Sequence, residues 1–125
     1  MNNHLYNGDS LTLEKEETDT EIKIKWLGKS IDREPGKVLN PIFYNLIIEG
    51  KNKNKRIIMS FSELNYMNSS TIMSISKFLE RGKDNDSKIT IQYDNERRWQ
   101  KLSFNAMQIF KTDDDRIVFE GRSLA

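Results

Sequence analysis

The chain has 125 residues, 20 of them basic and 19 acidic, for a formal net charge of +1. That balance lacks the electrostatic footprint of a general nucleic-acid binder, and the absence of cysteine removes disulfides, thiolate metal sites and cysteine nucleophiles. A chain of this length buries one core without covalent staples and reads as a single domain.

The first nine residues are polar and Asn-rich, carry the lone histidine His4, and are expected to be flexible. Leu11 and Leu13 alternate with Ser10, Thr12 and Glu14 as a short strand, and the acidic run Glu14 to Asp19 then serves as a turn. Ile22, Ile24 and Trp26 alternate with Lys23 and Lys25, the period of a strand with one buried and one wet face. These two strands predict a hairpin. A loop from Gly28 leads to Asn40-Pro41, which reads as an N-cap followed by proline at the first helical position. Ile42, Phe43, Leu46 and Ile47 continue at helical spacing until Gly50. Lys51, Lys53, Lys55 and Arg56 form a basic cluster best read as a solvated turn.

Ile57-Ile58-Met59 reads as a central strand. Asn68 then caps a helix with Ile72, Ile75, Phe78 and Leu79 inward, Ser74, Lys77 and Arg81 outward, and Gly82 as its stop. Ile89, Ile91 and Tyr93 alternate with Thr90 and Gln92 in a half-wet strand. Asp94 or Asn95 opens a third helix with Trp99, Leu102, Ala106, Ile109 and Phe110 on one stripe, and Arg116 to Glu120 forms a last strand.

The order is β-β-α-β-α-β-α-β, an α/β domain over residues 10–121 with a tail at 122–125. Strands alternating with helices imply a mixed, mostly parallel sheet with right-handed crossovers. Because three strands alternate apolar with polar, the helices are expected on one face only.

Catalysis finds little support. There is no glycine-rich phosphate loop, no spaced histidine pair and no thiol. The carboxylates, Asp113 to Asp115 included, sit in turns with no converging ligands, so no metal, cofactor or enzymatic activity is expected. No apolar run approaches the ~18 residues of a membrane helix, the N-terminus lacks a signal-peptide core, and a cytoplasmic protein is expected.

What remains is the stretch Leu64 to Thr71, where Ser69, Ser70 and Thr71 follow Asn68 in the first turn of a helix. Those hydroxyls suit capping, and they equally suit a phosphoryl group, because the free N–H groups and dipole of a helix N-terminus favour an anion. A phosphate would add a charge of about −1.5 to −2, which any partner docked there would have to desolvate.

The apolar strand, the joint Leu64-Asn65-Tyr66-Met67-Asn68-Ser69-Ser70-Thr71 and the helix after it resemble the phosphorylation region of STAS domains, the anti-sigma-factor antagonists of bacterial partner switching. The segment is similar in particular to the SiaC-type regulatory phosphoproteins, a STAS-like branch in which the acceptor hydroxyl directly follows an Asn. The resemblance implies a STAS-like fold and puts the acceptor on Ser69, with Ser70 and Thr71 as alternatives and Asn68 as cap and loop positioner. Two positions differ from the usual STAS pattern, Asn68 standing for Asp and Thr71 for Gly. The resemblance further implies a GHKL-type serine kinase or anti-sigma factor that binds the unphosphorylated form, and a PP2C-type phosphatase that resets it. The implied interface comprises Met67, Ser70, Thr71, Met73, Ser74, Asp32, Arg33 and Glu34. The alternative is a STAS-like scaffold, dimerisation or small-ligand module without phosphorylation.

Overall fold

The structure, a computed structural model, describes residues 2–123. Its elements are β1 (Asn2–Asn7), β2 (Leu11–Glu17), β3 (Glu21–Ser30), α1 (Gly36–Lys53), β4 (Arg56–Ser60), β5 (Leu64–Met67), α2 (Ser69–Asp84), β6 (Ile89–Asp94), α3 (Arg98–Ala106), a 3-10 turn (Met107–Phe110) and β7 (Ile117–Arg122). One sheet runs β1-β2-β3-β4-β6-β7, with β5 paired to β3 off that line. Pairing is antiparallel from β1 to β3 and parallel elsewhere, as the alternation of strands and helices requires.

All three helices cover one face. Ile22, Ile24 and Trp26 of β3, Ile57 and Met59 of β4, and Ile89 and Ile91 of β6 share a core with Leu39, Phe43, Ile75, Phe78 and Phe104. Six rings form a continuous chain through that core, Tyr93–Phe104–Phe61–Trp26–Phe43–Phe78, with neighbouring centroids 4.8 to 6.0 Å apart. Such tilted aromatic pairs add to simple area burial. The indole N–H of Trp26 donates to Met59 Sδ at 3.4 Å, so its one polar atom is not stranded.

Several elements depart from the sequence reading. Residues 2–7, expected within a flexible terminus, pair with β2 as an edge strand. The acidic run is mostly strand, because its carboxylates find cations: Lys53 and Lys55 both reach Glu17, and the chain turns only at Thr18 to Thr20. Helix α1 begins four residues before the expected Asn40 cap and carries Pro41 inside it. Pro41 lies past the first turn and has no N–H to give to the Lys37 carbonyl, and the early turn that precedes it buries Leu39 in the core. Gly50 and Gly82 are packing positions inside helices, not stops: a Cβ on Gly82 would lie 2.4 Å from Ile89 Cδ1.

Strand β6 is buried along its whole length. Its polar face is roofed by long side chains, Arg56 Nη1 donating to Thr90 Oγ1 at 3.1 Å and Gln92 Nε2 to Glu120 Oε1 at 3.2 Å. The expected stripe of α3 holds only at Trp99 and Phe110, which pack against the core half-buried, while Ala106 is exposed. Leu102 and Ile109 are 61% and 77% exposed, while Gln100, Phe104 and Met107 face inward. The helix tightens to 3-10 geometry after Ala106, which shifts the phase of every later side chain. Strand β7 runs through Arg122, past the expected boundary at 121, and the rest of the expected tail, Leu124 and Ala125, lies outside the described residues.

One bend matters for function. The first half of β3 pairs with β4, but from Gly28 onward it pairs with β5. Gly28 has φ +90°, and a Cβ there would sit 2.1 Å from the Ser10 carbonyl oxygen, so only glycine permits the turn of register. That bend brings Ser30 beside Met67 and the start of α2.

Candidate functional site

The joint between β5 and α2 lies at the C-terminal end of the parallel strands, where open α/β sheets place their sites. Asn68 has an extended backbone (φ −83°, ψ 172°) and is the N-cap of α2, as the sequence predicts. Its Oδ1 accepts from Thr71 N at 2.9 Å and from Thr71 Oγ1 at 2.7 Å. Its Nδ2 donates to the Asp32 carbonyl at 2.8 Å, and its backbone N–H donates to the Ser30 carbonyl at 3.0 Å. Ser30 Oγ lies 2.7 Å from Thr71 Oγ1. Because Asn68 Oδ1 can only accept, the Thr71 hydroxyl hydrogen points to it, and the Ser30 hydroxyl donates into Thr71. A directed chain thus runs Ser30 to Thr71 to Asn68, and Asn68 donates onward to Asp32.

This chain accounts for both departures from the STAS pattern. An aspartate at 68 would cap the helix but could not donate to the Asp32 carbonyl. Thr71 fills a wholly buried slot and completes the link to Ser30.

The three hydroxyls are therefore not equivalent. Thr71 is fully buried and doubly bonded, so it is not an accessible acceptor; Ser70 is half-buried; Ser69 is exposed. Thr71 N is taken by Asn68 Oδ1 and Ile72 N by the Asn68 carbonyl, while the N–H groups of Ser69 and Ser70 stand at positions that have no intrahelical partner. The first turn contains no acidic residue to occupy the positive end of the dipole. The interface drawn from the sequence is also corrected. Met67, Thr71 and Ser74 are buried and present no surface, whereas Met73, Asp32, Arg33 and Glu34 are exposed. Ile31 and Tyr66, which the sequence reading left out, are exposed to 49% and 50% in the same region.

Gln100 is the residue sequence reasoning missed most completely. Fully buried on α3, it donates from Nε2 to the carbonyls of Phe61 (2.7 Å) and Leu64 (3.0 Å) and accepts at Oε1 from Asp94 N (2.7 Å). Arg97 adds Nη1 bonds to the Leu64 carbonyl at 3.1 Å and to Asn65 Oδ1 at 3.3 Å. Together they clamp the β4–β5 turn, and so the strand that delivers Asn68, onto the start of α3. A glutamine beside Lys101 and shortly after Arg97 and Arg98 reads as a wet helix face, so no local pattern marks it.

The basic cluster lies elsewhere and is engaged structurally. Lys55 and Lys53 hydrogen-bond Glu17 and hold its carboxyl down to about 2. Burial pushes Glu49 upward, but Lys15 and Lys53 outweigh it and leave that carboxyl below its ordinary value. Among the described residues no group of three or more His, Asp or Glu is arranged to hold a metal, and no helix is long and apolar enough to cross a membrane.

The strand order, the one-sided helices and the exposed strand-to-helix joint define a mixed α/β protein with the SpoIIAA-like STAS fold. Among solved structures it is similar to SiaC of Pseudomonas aeruginosa, at a TM-score of 0.66 and 13% identity, with 98% of each chain covered. It is also similar to an uncharacterized protein from the DUF3478 family with a SpoIIAA-like fold from Shewanella loihica PV-4, at a TM-score of 0.53 and 16% identity, covering 94% of this chain and 88% of that one. No protein-family model and no curated sequence matches the chain.

Proposed function

We propose that this protein is a non-enzymatic, cytoplasmic signalling component of a bacterial partner-switching pathway, controlled by phosphorylation of Ser69. The observation that carries the reading is the contrast within one helical turn: Ser69 is exposed, while Thr71 is sealed in the cap. A phosphoryl group on Ser69 would meet the free N–H groups and positive dipole end of α2 without breaking the Ser30–Thr71–Asn68 chain. The switch therefore acts on surface charge and leaves the fold in place.

In the unphosphorylated state the partner is a GHKL-type serine kinase or anti-sigma factor docking over the joint, where Ile31, Tyr66 and Met73 offer apolar surface beside Asp32, Arg33 and Glu34. Phosphate at the centre of that surface would have to be desolvated on docking, so the modified protein is released until a PP2C-type phosphatase resets it. The similarity of fold to SiaC supports this reading.

Intact-mass measurement with and without a cognate GHKL-type serine kinase is the test. The wild type gains one phosphate and Ser69→Ala gains none; undiminished modification of Ser69→Ala would remove the acceptor assignment. Ser69→Asp should weaken partner binding, and equal affinity would sink the switch. The alternative, a scaffold or ligand module without phosphorylation, has one feature in its favour, a recess of about 510 Å³ on the helix-free sheet face lined by Arg56, Thr90, Gln92 and Glu120. An unmodified wild type whose partner binding ignores Ser69→Asp would favour it.

A further inference from the structure

We propose that the outer face of α3 and of the 3-10 turn after it is a docking surface for one kind of partner, an amphipathic protein helix with an acidic flank. Leu102, Ala106 and Ile109 follow one another at spacings of four and three, which sets them on one line along the helix. All three are exposed, and Ile109 is the most exposed large apolar side chain among the described residues. Half-buried Trp99 and Phe110 bound the line at its two ends. On the opposite side Gln100, Phe104 and Met107 already fix the helix to the sheet, so the outer line adds nothing to the core. Single exposed hydrophobes are ordinary, whereas several in line on one element mark a surface that meets another.

Charge selects the partner. Residues 97–112 contain Arg97, Arg98, Lys101 and Lys111 and no carboxylate, in a chain whose formal net charge is only +1. Arg97 is engaged by Asp94, Asn65 and the Leu64 carbonyl. Arg98, Lys101 and Lys111 are exposed and take part in no ion pair among the described residues. Arg98 and Lys101 precede Leu102, and Lys111 follows Ile109, so cations stand at both ends of the apolar line.

A helix laid along α3 with two apolar residues seven positions apart, about 10 Å, sets one against Leu102 and the other against Ile109. Acidic residues on its flank then answer the three free cations. A second copy of this chain does not fit, because a two-fold contact brings the same cations together. An anionic bilayer fits less well. Asp113 and Asp115, exposed just past Lys111, would be pressed toward its headgroups, whereas a helix confined to the apolar line ends before them. Gln100 holds the β4–β5 turn from the inner side of α3, so an occupant of the outer side leaves that clamp in place. The proposal does not depend on phosphorylation of Ser69.

The experiment is NMR titration of the full-length labelled protein with three probes. The first is a synthetic helical peptide of about 18 residues, with leucines at alternating three- and four-residue spacing among glutamates and alanines. The second carries lysine in place of glutamate, and the third is phosphatidylglycerol vesicles. The glutamate peptide should shift the amides of Arg98 to Lys111 and leave those of α1 unchanged. The lysine peptide should bind about tenfold more weakly, the combined weight of three exposed charge contacts. Leu102→Gln and Ile109→Gln should each weaken the glutamate peptide about tenfold, since each removes an aliphatic contact buried on docking. Arg98→Gln with Lys101→Gln should bring the two peptides toward equal affinity. No shift with the glutamate peptide, equal binding of the lysine peptide to the wild type, or binding indifferent to Leu102→Gln and Ile109→Gln would overturn the proposal. Vesicle binding that those two substitutions abolish would overturn it too, by making the strip a membrane contact. All four substituted side chains are exposed and glutamine is a good helix former, so misfolding does not obscure the result.

Discussion

Ser30 and Thr71, 41 residues apart in the chain, share a 2.7 Å hydroxyl–hydroxyl hydrogen bond in a site almost closed to water. Within the capping chain it is the direct side-chain link between the end of β3 and α2. Thr71→Val strands the Ser30 hydroxyl and should destabilise by about 1–3 kcal/mol in chemical denaturation, the cost of an unpaired buried polar group. Ser30→Ala leaves the Thr71 hydroxyl donating to Asn68 Oδ1 and should lose only the shared bond, about 0.5–1.5 kcal/mol. The double variant should be clearly less damaged than the sum, because both polar groups are then gone. Strict additivity would show that the bond carries no coupling.

Asn68 separates two roles that a simple cap would merge. Asn68→Ala should cost about 0.5–2 kcal/mol, the usual loss of an N-cap. Asn68→Asp keeps the capping oxygen and gains favourable charge at the helix end, so capping alone predicts no loss. The lost Nδ2 bond to the Asp32 carbonyl predicts a net loss of about 0.5–1.5 kcal/mol instead. Equal or greater stability of the aspartate variant at neutral pH would reduce Asn68 to a cap.

Gln100 should be replaceable by glutamate only in acid. In the Gln100→Glu variant a protonated carboxyl can still donate one hydrogen to the Phe61 or Leu64 carbonyl, whereas a carboxylate faces both oxygens unpartnered. The folded-state pKa of the introduced group must then rise above the unfolded value of about 4.3, each unit of rise corresponding to ~1.4 kcal/mol. Gln100→Glu should therefore approach wild-type stability below about pH 4 and lose it as pH rises through the raised pKa. A denaturation midpoint for Gln100→Glu that does not fall between about pH 4 and pH 7 would contradict the clamp.

Glu17 gives the opposite slope. Lys55 and Lys53 lower its carboxyl from 4.5 to about 2 in the folded protein. The resulting stabilisation is present above the unfolded pKa and is lost as pH falls through the folded one, so it fades between about pH 4.5 and 2. Glu17→Gln should flatten that part of the acid unfolding curve and leave the remainder to the other carboxylates. An unchanged acid limb would mean that the two lysines exert no net hold on the carboxylate in solution.

The fold was legible wherever one residue's character decided its environment. Ile22, Ile24 and Trp26 against Lys23 and Lys25 marked a one-sided strand, and Asn68 before three hydroxyls marked a helix start, both found in the structure. Legibility failed where tertiary contacts overrode local pattern. Pro41 and Gly82 are breakers by propensity, yet the burial of Leu39 and the packing on Ile89 keep them inside helices. Strand β5 has only four residues, with Asn65 and Tyr66 exposed, so it carries no period to read. At the site, the cap was readable because it is local. Ser30, the Asp32 carbonyl and Gln100 were not, because each reaches the joint from more than thirty positions away.

Strand β1 has a consequence of its own. It hydrogen-bonds to β2 alone and stands at the rim of the sheet, with a register shift between His4 and Tyr6. An irregular, asparagine-rich rim is a poor template for strand addition by a second molecule. Behind it lies β2, seven residues in unbroken register with β3, with Leu11 and Leu13 in the core. Trimming the first nine residues as a dispensable leader would bare that regular strand, and the shortened protein should self-associate where the full chain stays dispersed. The least structured-looking part of the sequence thus covers one outer edge of the sheet, the other being β7.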